Sequence, residues 1–311
     1  HQSFGGRVTS RCTAHPKIDP ESGELHFFAY SPDGPGSSTL LYGVMDGQCE
    51  VTRLQSFTAP YASMAHDFMV TRGHVLFPVT PLTFSVERAA RGKPLLAWDA
   101  GLRTHVGVMP RGGAADTLRW FDTDACHLFH VMNAWDEGTT VVAYVMQSQA
   151  APGLPDTEGH PGDPDAMAAR LCRWTFELGG TDTGFRRDDL DDLVGEFPRY
   201  GFYACHATSR ARDDSESILF DSLARFDFDT GERSLYTLAP GDVVSEPVFA
   251  PRAANAVEGD GWLLAVAWRE QQRRSDLLVF DATDLAAGPV AIARLPHRVT
   301  FGFHGTWRSD W

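Results

Sequence analysis

Alternating apolar runs that double back at corners rich in Asp and Gly recur in four places along this chain, and that pattern confines it to an all-β fold. The first is His15-Pro-Lys-Ile-Asp-Pro-Glu-Ser-Gly-Glu-Leu-His-Phe-Phe-Ala-Tyr30 and the second Leu41-Tyr-Gly-Val-Met-Asp-Gly-Gln-Cys-Glu-Val51. The clearest is Leu223-Ala-Arg-Phe-Asp-Phe-Asp-Thr-Gly-Glu-Arg-Ser-Leu-Tyr236, with a looser copy in Leu277-Leu-Val-Phe-Asp-Ala-Thr-Asp-Leu-Ala-Ala-Gly288. Asp and Gly supply turn conformations that the flanking strand formers avoid, so each is expected to be a β-hairpin. Asp229 and Asp281 lie about one propeller blade apart, and hairpins in series at that spacing point to a β-propeller.

Helical signals are few. Asp163-Pro-Asp-Ala-Met-Ala-Ala-Arg170 reads as a short capped turn of helix, with Pro164 at its first position. Asp188-Asp-Leu-Asp-Asp-Leu-Val194 reads as a solvated loop or brief helix. Residues 150–164, where Pro and Gly cluster without apolar periodicity, are expected to be the least ordered. No domain boundary stands out, so residues 1–311 read as one domain.

The balance of charge narrows the partners. Lys plus Arg total 27 against 41 Asp plus Glu, a net charge of −14. An acidic surface of this size repels phosphate backbones, which argues against nucleic-acid binding and against adsorption to anionic membranes. Hydrophobic content of 43% and charged content of 22% exclude a disordered polypeptide and a coiled coil. The longest apolar runs, such as Trp262-Leu-Leu-Ala-Val-Ala-Trp268, are far too short to span a bilayer as a helix. Five widely spaced cysteines with no CxxC pair argue against a disulfide framework or a cysteine zinc site, and for a reducing, cytoplasmic setting. The sequence starts at His1 with no leader, as expected of a processed protein or a piece of a longer one.

Twelve histidines are more than a protein of this length needs. His15, His66, His130 and His304 stand out, the last three closely flanked by apolar residues. Burial favours the neutral imidazole, which is the metal-binding form. Judged on spacing alone, four separate core histidines each satisfied by a backbone carbonyl is the simpler reading, since there is no HExxH motif and His127 with His130 has no acidic partner in register. A propeller removes the objection, because its inner strands bring distant residues to one axis.

At these residues the sequence resembles the carotenoid cleavage oxygenase family, which includes the stilbene-cleaving enzymes. The matching pieces are Ala14-His-Pro-Lys-Ile-Asp-Pro20 with Gly23-Glu24, His66-Asp-Phe-Met-Val-Thr71, Phe129-His-Val-Met-Asn-Ala-Trp135, Gly195-Glu-Phe-Pro-Arg199, Ser245-Glu-Pro-Val-Phe249 with Asp260-Gly261, and Gly302-Phe-His-Gly305. They occur in family order. The resemblance implies a seven-bladed β-propeller carrying one non-haem Fe(II) on its axis, held by His15, His66, His130 and His304. It also implies two carboxylates behind the ligands, Glu196 for His130 and Glu246 for His304, each fixing a tautomer by accepting an Nδ1 proton. Four neutral imidazoles leave the full charge on the metal and leave positions open for O₂.

The same resemblance implies that longer members have a leading part ahead of the first ligand motif, with further blades, a glutamate for His66, and the Tyr and Lys that engage the phenol in the stilbene branch. The present sequence is therefore expected to lack that N-terminal part and to have little activity alone. Val299-Thr-Phe-Gly302 departs from relatives that have proline near the last ligand.

His26, His74, His105, His127, His160, His206 and His297 match no ligand motif and are expected to be surface or satisfied core residues. Met64, Met69 and Met132 are expected to pack rather than ligate. Trp135, Phe301, Phe303 and Trp307 are candidates for pocket walls or for ordinary core. Tyr61-Ala-Ser-Met-Ala-His66, Leu76-Phe-Pro-Val-Thr-Pro-Leu82 and Gly107-Val-Met-Pro-Arg111 look most like the bacterial lignostilbene enzymes. The implied reaction adds O₂ across an alkene C=C bond to give two carbonyl products, with hydroxystilbenes as substrates and a homodimer as one possible assembly. An apocarotenoid substrate is the enzymatic alternative, and a non-catalytic propeller serving as a binding platform is the alternative of another class.

Overall fold

The structure, a computed structural model, describes residues 6–19, 21–179, 184–190, 195–199 (backbone only), 201–207, 219–227, 230–253, 256–257, 259–300, 302, 304–305 and 307. The protein groups into two compact units, the first comprising His1–Ala168 and Cys172–Asp188, the second Ala169–Leu171 and Asp189–Trp311. Among the described residues no helix is long and apolar enough to cross a membrane.

In the first unit, β1 (Lys17–Ile18), β2 (Leu25–Tyr30), β3 (Thr39–Met45) and β4 (Val51–Thr58) form an antiparallel sheet in sequence order. The next sheet begins with β5 (Met69–Val70) and β6 (His74–Val79). The backbone then leaves it for a two-stranded excursion, β7 (Leu82–Phe84) and β8 (Leu96–Trp98), with the five-residue helix α1 (Val86–Ala90) between. It returns as β9 (Thr104–Pro110) and β10 (Arg119–Thr123), giving the order β10-β9-β6-β5. A third sheet, again in sequence order, holds β11 (His127–Glu137), β12 (Thr140–Ser148), β13 (Arg170–Glu177) and β14 (Gly184–Asp189).

Residue alternation explains why these sheets lie face to face. On β6, Val75, Phe77 and Val79 join a core with Phe28, Tyr42 and Val44 of the first sheet, while Leu76 joins a second core with Leu128, Val141 and Trp174 of the third. Strand β9 repeats this, with Met109 in the first core and Val106 and Val108 in the second. A strand with an apolar layer on each side must be apolar on both faces, as β6 is from Val75 to Val79 and β9 from Val106 to Met109. Each fully buried large side chain among them contributes about 1.5–3 kcal/mol.

In the second unit, β15 (Gly195–Arg199), β16 (Phe202–Cys205), β17 (Ser222–Phe226) and β18 (Arg233–Thr237) form one meander. The other sheet holds β19 (Val243–Val244), β20 (Val248–Pro251), β21 (Gly261–Arg269), β22 (Arg274–Asp281) and β23 (Pro289–Arg294), with β19 and β20 both pairing β21. Leu263, Ala265 and Ala267 of β21 alternate into a core with Leu278 and Phe280 of β22 and with Phe202, Ala204 and Leu223 of the neighbouring meander. Asp276 is buried at 1% exposure and accepts hydrogen bonds from Arg269 Nε (3.1 Å) and Arg274 Nε (2.8 Å). These two arginines hold its carboxyl below the usual range.

The four hairpins read from the sequence are β1–β2, β3–β4, β17–β18 and β22–β23. Three local expectations need correction. Residues 164–167 form turns that lead directly into β13, and no helix forms there. Asp188 and Asp189 end β14, the remainder of that acidic stretch lying largely outside the described residues. Residues 150–164 are tied down: Ala150 and Ala151 are buried, and Trp98 N–H donates to the Pro155 carbonyl at 2.8 Å. Helix α1 was not expected at all; Ser85 caps it by accepting the Arg88 N–H at 3.0 Å.

Gly43 shows how tightly the first sheet is built. It pairs across the ladder with Phe27, whose ring covers it so closely that a Cβ there would lie 2.2 Å from the ring. Gly43→Ala should therefore destabilise the protein by about 1–3 kcal/mol through overpacking, measured by urea unfolding. An unchanged midpoint would mean that the Phe27 ring moves aside freely.

Candidate metal centre

Three of the four singled-out histidines come together within the first unit. His15 lies two residues before β1, His66 three residues before β5, and His130 on β11. Their ligating nitrogens lie within 4.8 Å of one another, and the Nε2 atoms of His15 and His66 are 3.0 Å apart. Ring centroids are 4.8 Å apart for His15 and His66, 4.9 Å for His15 and His130, and 5.1 Å for His66 and His130. The rings meet at interplanar angles of 59–85°, so they surround a point rather than stack.

Strand β11 aims His130 by breaking step. Its register with β12 shifts once between Leu128 and Val131 and again between Val131 and Asn133. The ligand position thus falls inside the first of two successive bulges, and bulges re-aim side chains at the cost of ladder bonds. The Val131 N–H, next to the ligand, donates to Asp67 Oδ2 at 2.9 Å.

Asp67 is only 2% exposed. Its Oδ1 accepts the Phe68 N–H at 2.7 Å and pairs with Lys17 Nζ at 2.7 Å. Burial works against its charge, but Lys17, the neighbouring His15 and the hydrogen bonds from Lys17 and Val131 outweigh it and hold the carboxyl below the usual range. Neither Asp67 nor Lys17 was singled out in the sequence, although each lies inside a ligand motif.

In the second unit, His304 Nδ1 pairs with Glu246 Oε2 at 3.1 Å, the Glu246 side chain being 9% exposed. A proton on Nδ1 directed at this carboxylate leaves Nε2 as the lone-pair atom. Glu196 stands on β15, where its backbone pairs with Ala204; its side chain lies outside the described residues.

Several other histidines are surface or edge residues. His160 and His297 are exposed, His74 pairs with Asp136 at 2.5 Å, and His206 rests on Phe220. His26 and His127 are fully buried but only half satisfied. His26 Nδ1 meets the Tyr42 hydroxyl at 2.7 Å and His127 Nδ1 the Thr80 hydroxyl at 3.0 Å, while Nε2 of each has no hydrogen-bond partner. Burial holds His26 down at about 4 and His127 at about 3. Met69 and Met132 are buried, Met64 packs beside Leu82 and Trp98, and Trp135 packs edge-on against Tyr144. Trp307 is 45% exposed; Phe301 and Phe303 lie outside the described residues.

The donor set suits a particular class of ion. Imidazole nitrogens favour first-row transition metals over Mg²⁺ or Ca²⁺, and the carboxylate of Asp67, next to His66, is committed to Lys17 and backbone N–H groups. Nitrogens 3.0 Å apart also match two ligands each about 2 Å from a common ion.

The family model described as RPE65, retinal pigment epithelial membrane protein, matches residues 1–309. The protein belongs to this family, the carotenoid cleavage oxygenases. It is 35% identical to isoeugenol monooxygenase of Pseudomonas nitroreducens over 320 residues, covering 98% of the present sequence and 67% of that protein. It is 30% identical to lignostilbene-alpha,beta-dioxygenase isozyme III of Sphingomonas paucimobilis, covering 99% and 67%. The crystal structure of Pseudomonas brassicacearum lignostilbene dioxygenase superposes with a TM-score of 0.91 at 33% identity, covering 99% of the present sequence and 68% of that one. The all-β fold is thus the β-propeller fold of the family, and the protein spans about two thirds of the length of these relatives.

The buried histidines make stability depend on pH. His127 stays neutral in the folded protein to about 3, whereas an unfolded histidine takes up a proton below 6.5. As pH falls through that window the unfolded state binds more protons, so stability is lost. His127→Gln should flatten the slope of unfolding free energy between about pH 6 and 4 by at most about 1.4 kcal/mol per pH unit, measured in urea on metal-free protein. An unaltered slope would show that His127 protonates in the folded state.

Proposed function

We propose that this protein holds the metal centre of a non-haem Fe(II) dioxygenase, one that uses O₂ to cleave an alkene double bond conjugated to a 4-hydroxyphenyl ring. The observation that carries the reading is the convergence of His15, His66 and His130, with two Nε2 atoms 3.0 Å apart, in a member of this oxygenase family. His304 is the fourth ligand in this reading, its tautomer set by Glu246, and Glu196 plays the same part for His130. Iron, when bound, activates dioxygen for addition across the alkene.

The protein's own residues contribute neutral donors and a dry, aromatic setting. Four imidazoles add no negative charge, so the ion keeps its full 2+ character. Phe129 sets its ring edge-on at 5.3 Å from His66 and 4.4 Å from His127, which keeps the ligand shell packed and apolar on that side. Isoeugenol and lignostilbene share a 4-hydroxyphenyl group conjugated to an alkene, and the names of the relatives favour those substrates over polyenes. The reaction balances without a further reductant: one C=C bond and one O₂ become two C=O groups.

Full-length protein loaded with Fe(II) should convert isoeugenol or a 4-hydroxystilbene to aromatic aldehyde, with an apocarotenal left unchanged, as read by chromatography of the carbonyl products. His66→Ala should abolish both turnover and stoichiometric iron. Cleavage of the apocarotenal alone would transfer the assignment to the carotenoid branch, and iron-free wild-type protein would favour a binding platform.

A further inference from the structure

Each group bound by the Asp67 carboxylate lies one or two residues beyond one of the converging histidines. Lys17 follows His15 by two residues, Phe68 follows His66 by two, and Val131 directly follows His130, while Asp67 itself is next to His66. Both carboxylate oxygens are used, Oδ1 by Lys17 Nζ and Phe68 N–H and Oδ2 by Val131 N–H. The three segments belong to or lead into different sheets, β1 in the first, β5 in the second and β11 in the third, so no ladder hydrogen bond ties them to one another.

We propose that Asp67 is a positioning residue for the metal centre, a single carboxylate that fixes the three ligand-bearing segments relative to one another before metal binds. The proposal rests on the metal-centre reading above. A buried ion pair is a poor device for stability, because desolvation offsets most of its attraction. It is a good device for geometry, because a carboxylate answered on both oxygens tolerates little displacement of its partners. Val131 is the telling contact. In the irregular part of β11, the N–H next to His130 donates to Asp67, so this edge of β11 and the carboxylate just ahead of β5 are fitted to each other. Lys17 enters from the other side, its ammonium also 5.9 Å from the centre of the Phe68 ring, which fixes the stem next to His15.

The test compares full-length wild type with Asp67→Asn, Lys17→Gln and a control, Asp276→Asn, which removes an equally buried carboxylate from an arginine pair in the second unit. Metal-free protein is titrated with Co(II) against a competing chelator, the Co(II) absorption spectrum is recorded, and thermal midpoints are measured in parallel. Asp67→Asn and Lys17→Gln should each weaken Co(II) binding about 10- to 100-fold, as loss of an outer partner of a metal site does, and should alter the spectrum. Asp276→Asn should lower the midpoint and leave affinity and spectrum at wild-type values. If Asp67→Asn fails to fold, Lys17→Gln, at a half-buried position, decides the matter. Wild-type Co(II) affinity and spectrum in the folded Asp67 and Lys17 variants would overturn the proposal, whatever their midpoints. Wild-type protein that binds no Co(II) would instead remove the metal-centre reading, and this proposal with it.

Discussion

A buried carboxylate has to be answered on both of its oxygens or it does not stay charged, and in the first unit the groups that answer Asp67 come from three separate stretches of backbone. β-Sheets hold their own strands in register through backbone hydrogen bonds, but sheets packed face to face are held mainly by apolar contact, which has little directional preference. Side chains such as Leu76 and Phe77 can bring the sheets to the right separation without fixing how one slides over the next. The directional bonds around Asp67 are of the kind that can. His15, His66 and His130 hang from the segments that those bonds join.

How much of this was legible in the sequence depends on whether the signal is local. The hairpins were, because Asp and Gly at a corner and alternating residues on either side are neighbours in sequence. Helix α1 was not, since five residues are too few to display a helical period and its Ser85 cap is one serine among many. Residues 150–164 look loose because Pro and Gly dominate, yet Ala150 and Ala151 are small enough to be buried beneath Leu82 and Trp98. The histidines were singled out by family resemblance and not by spacing, since positions so far apart obey no local rule. Asp67 and Lys17 were missed because no local feature distinguishes a buried charge from a solvated one; only the partner reveals it.

The half-satisfied histidines have a bearing on the chemistry. His127 is packed among Trp98, Phe129 and Thr80 and held neutral by burial, which adds bulk and polarisability beside His66 and His130 without adding charge. Among the charged groups described near those rings, Lys17 and Asp67 cancel. That pair therefore adds no net charge beside the three histidines of the first unit.

The irregularity of β11 reaches beyond the aim of one side chain. The strand keeps step with β12 at its start, at His127 and Leu128, and again from Asn133 to Glu137, and its register shifts fall only in between. The outer half of this hairpin, with its turn at Gly138, is therefore mechanically insulated from the inner half. Residues gained or lost at the turn are absorbed there, whereas deletion of one residue between Leu128 and Asn133 would take out a bulge and turn His130 away from the other two histidines. Along a single strand, then, sequence is free to drift at one end and is held to a fixed residue count at the other.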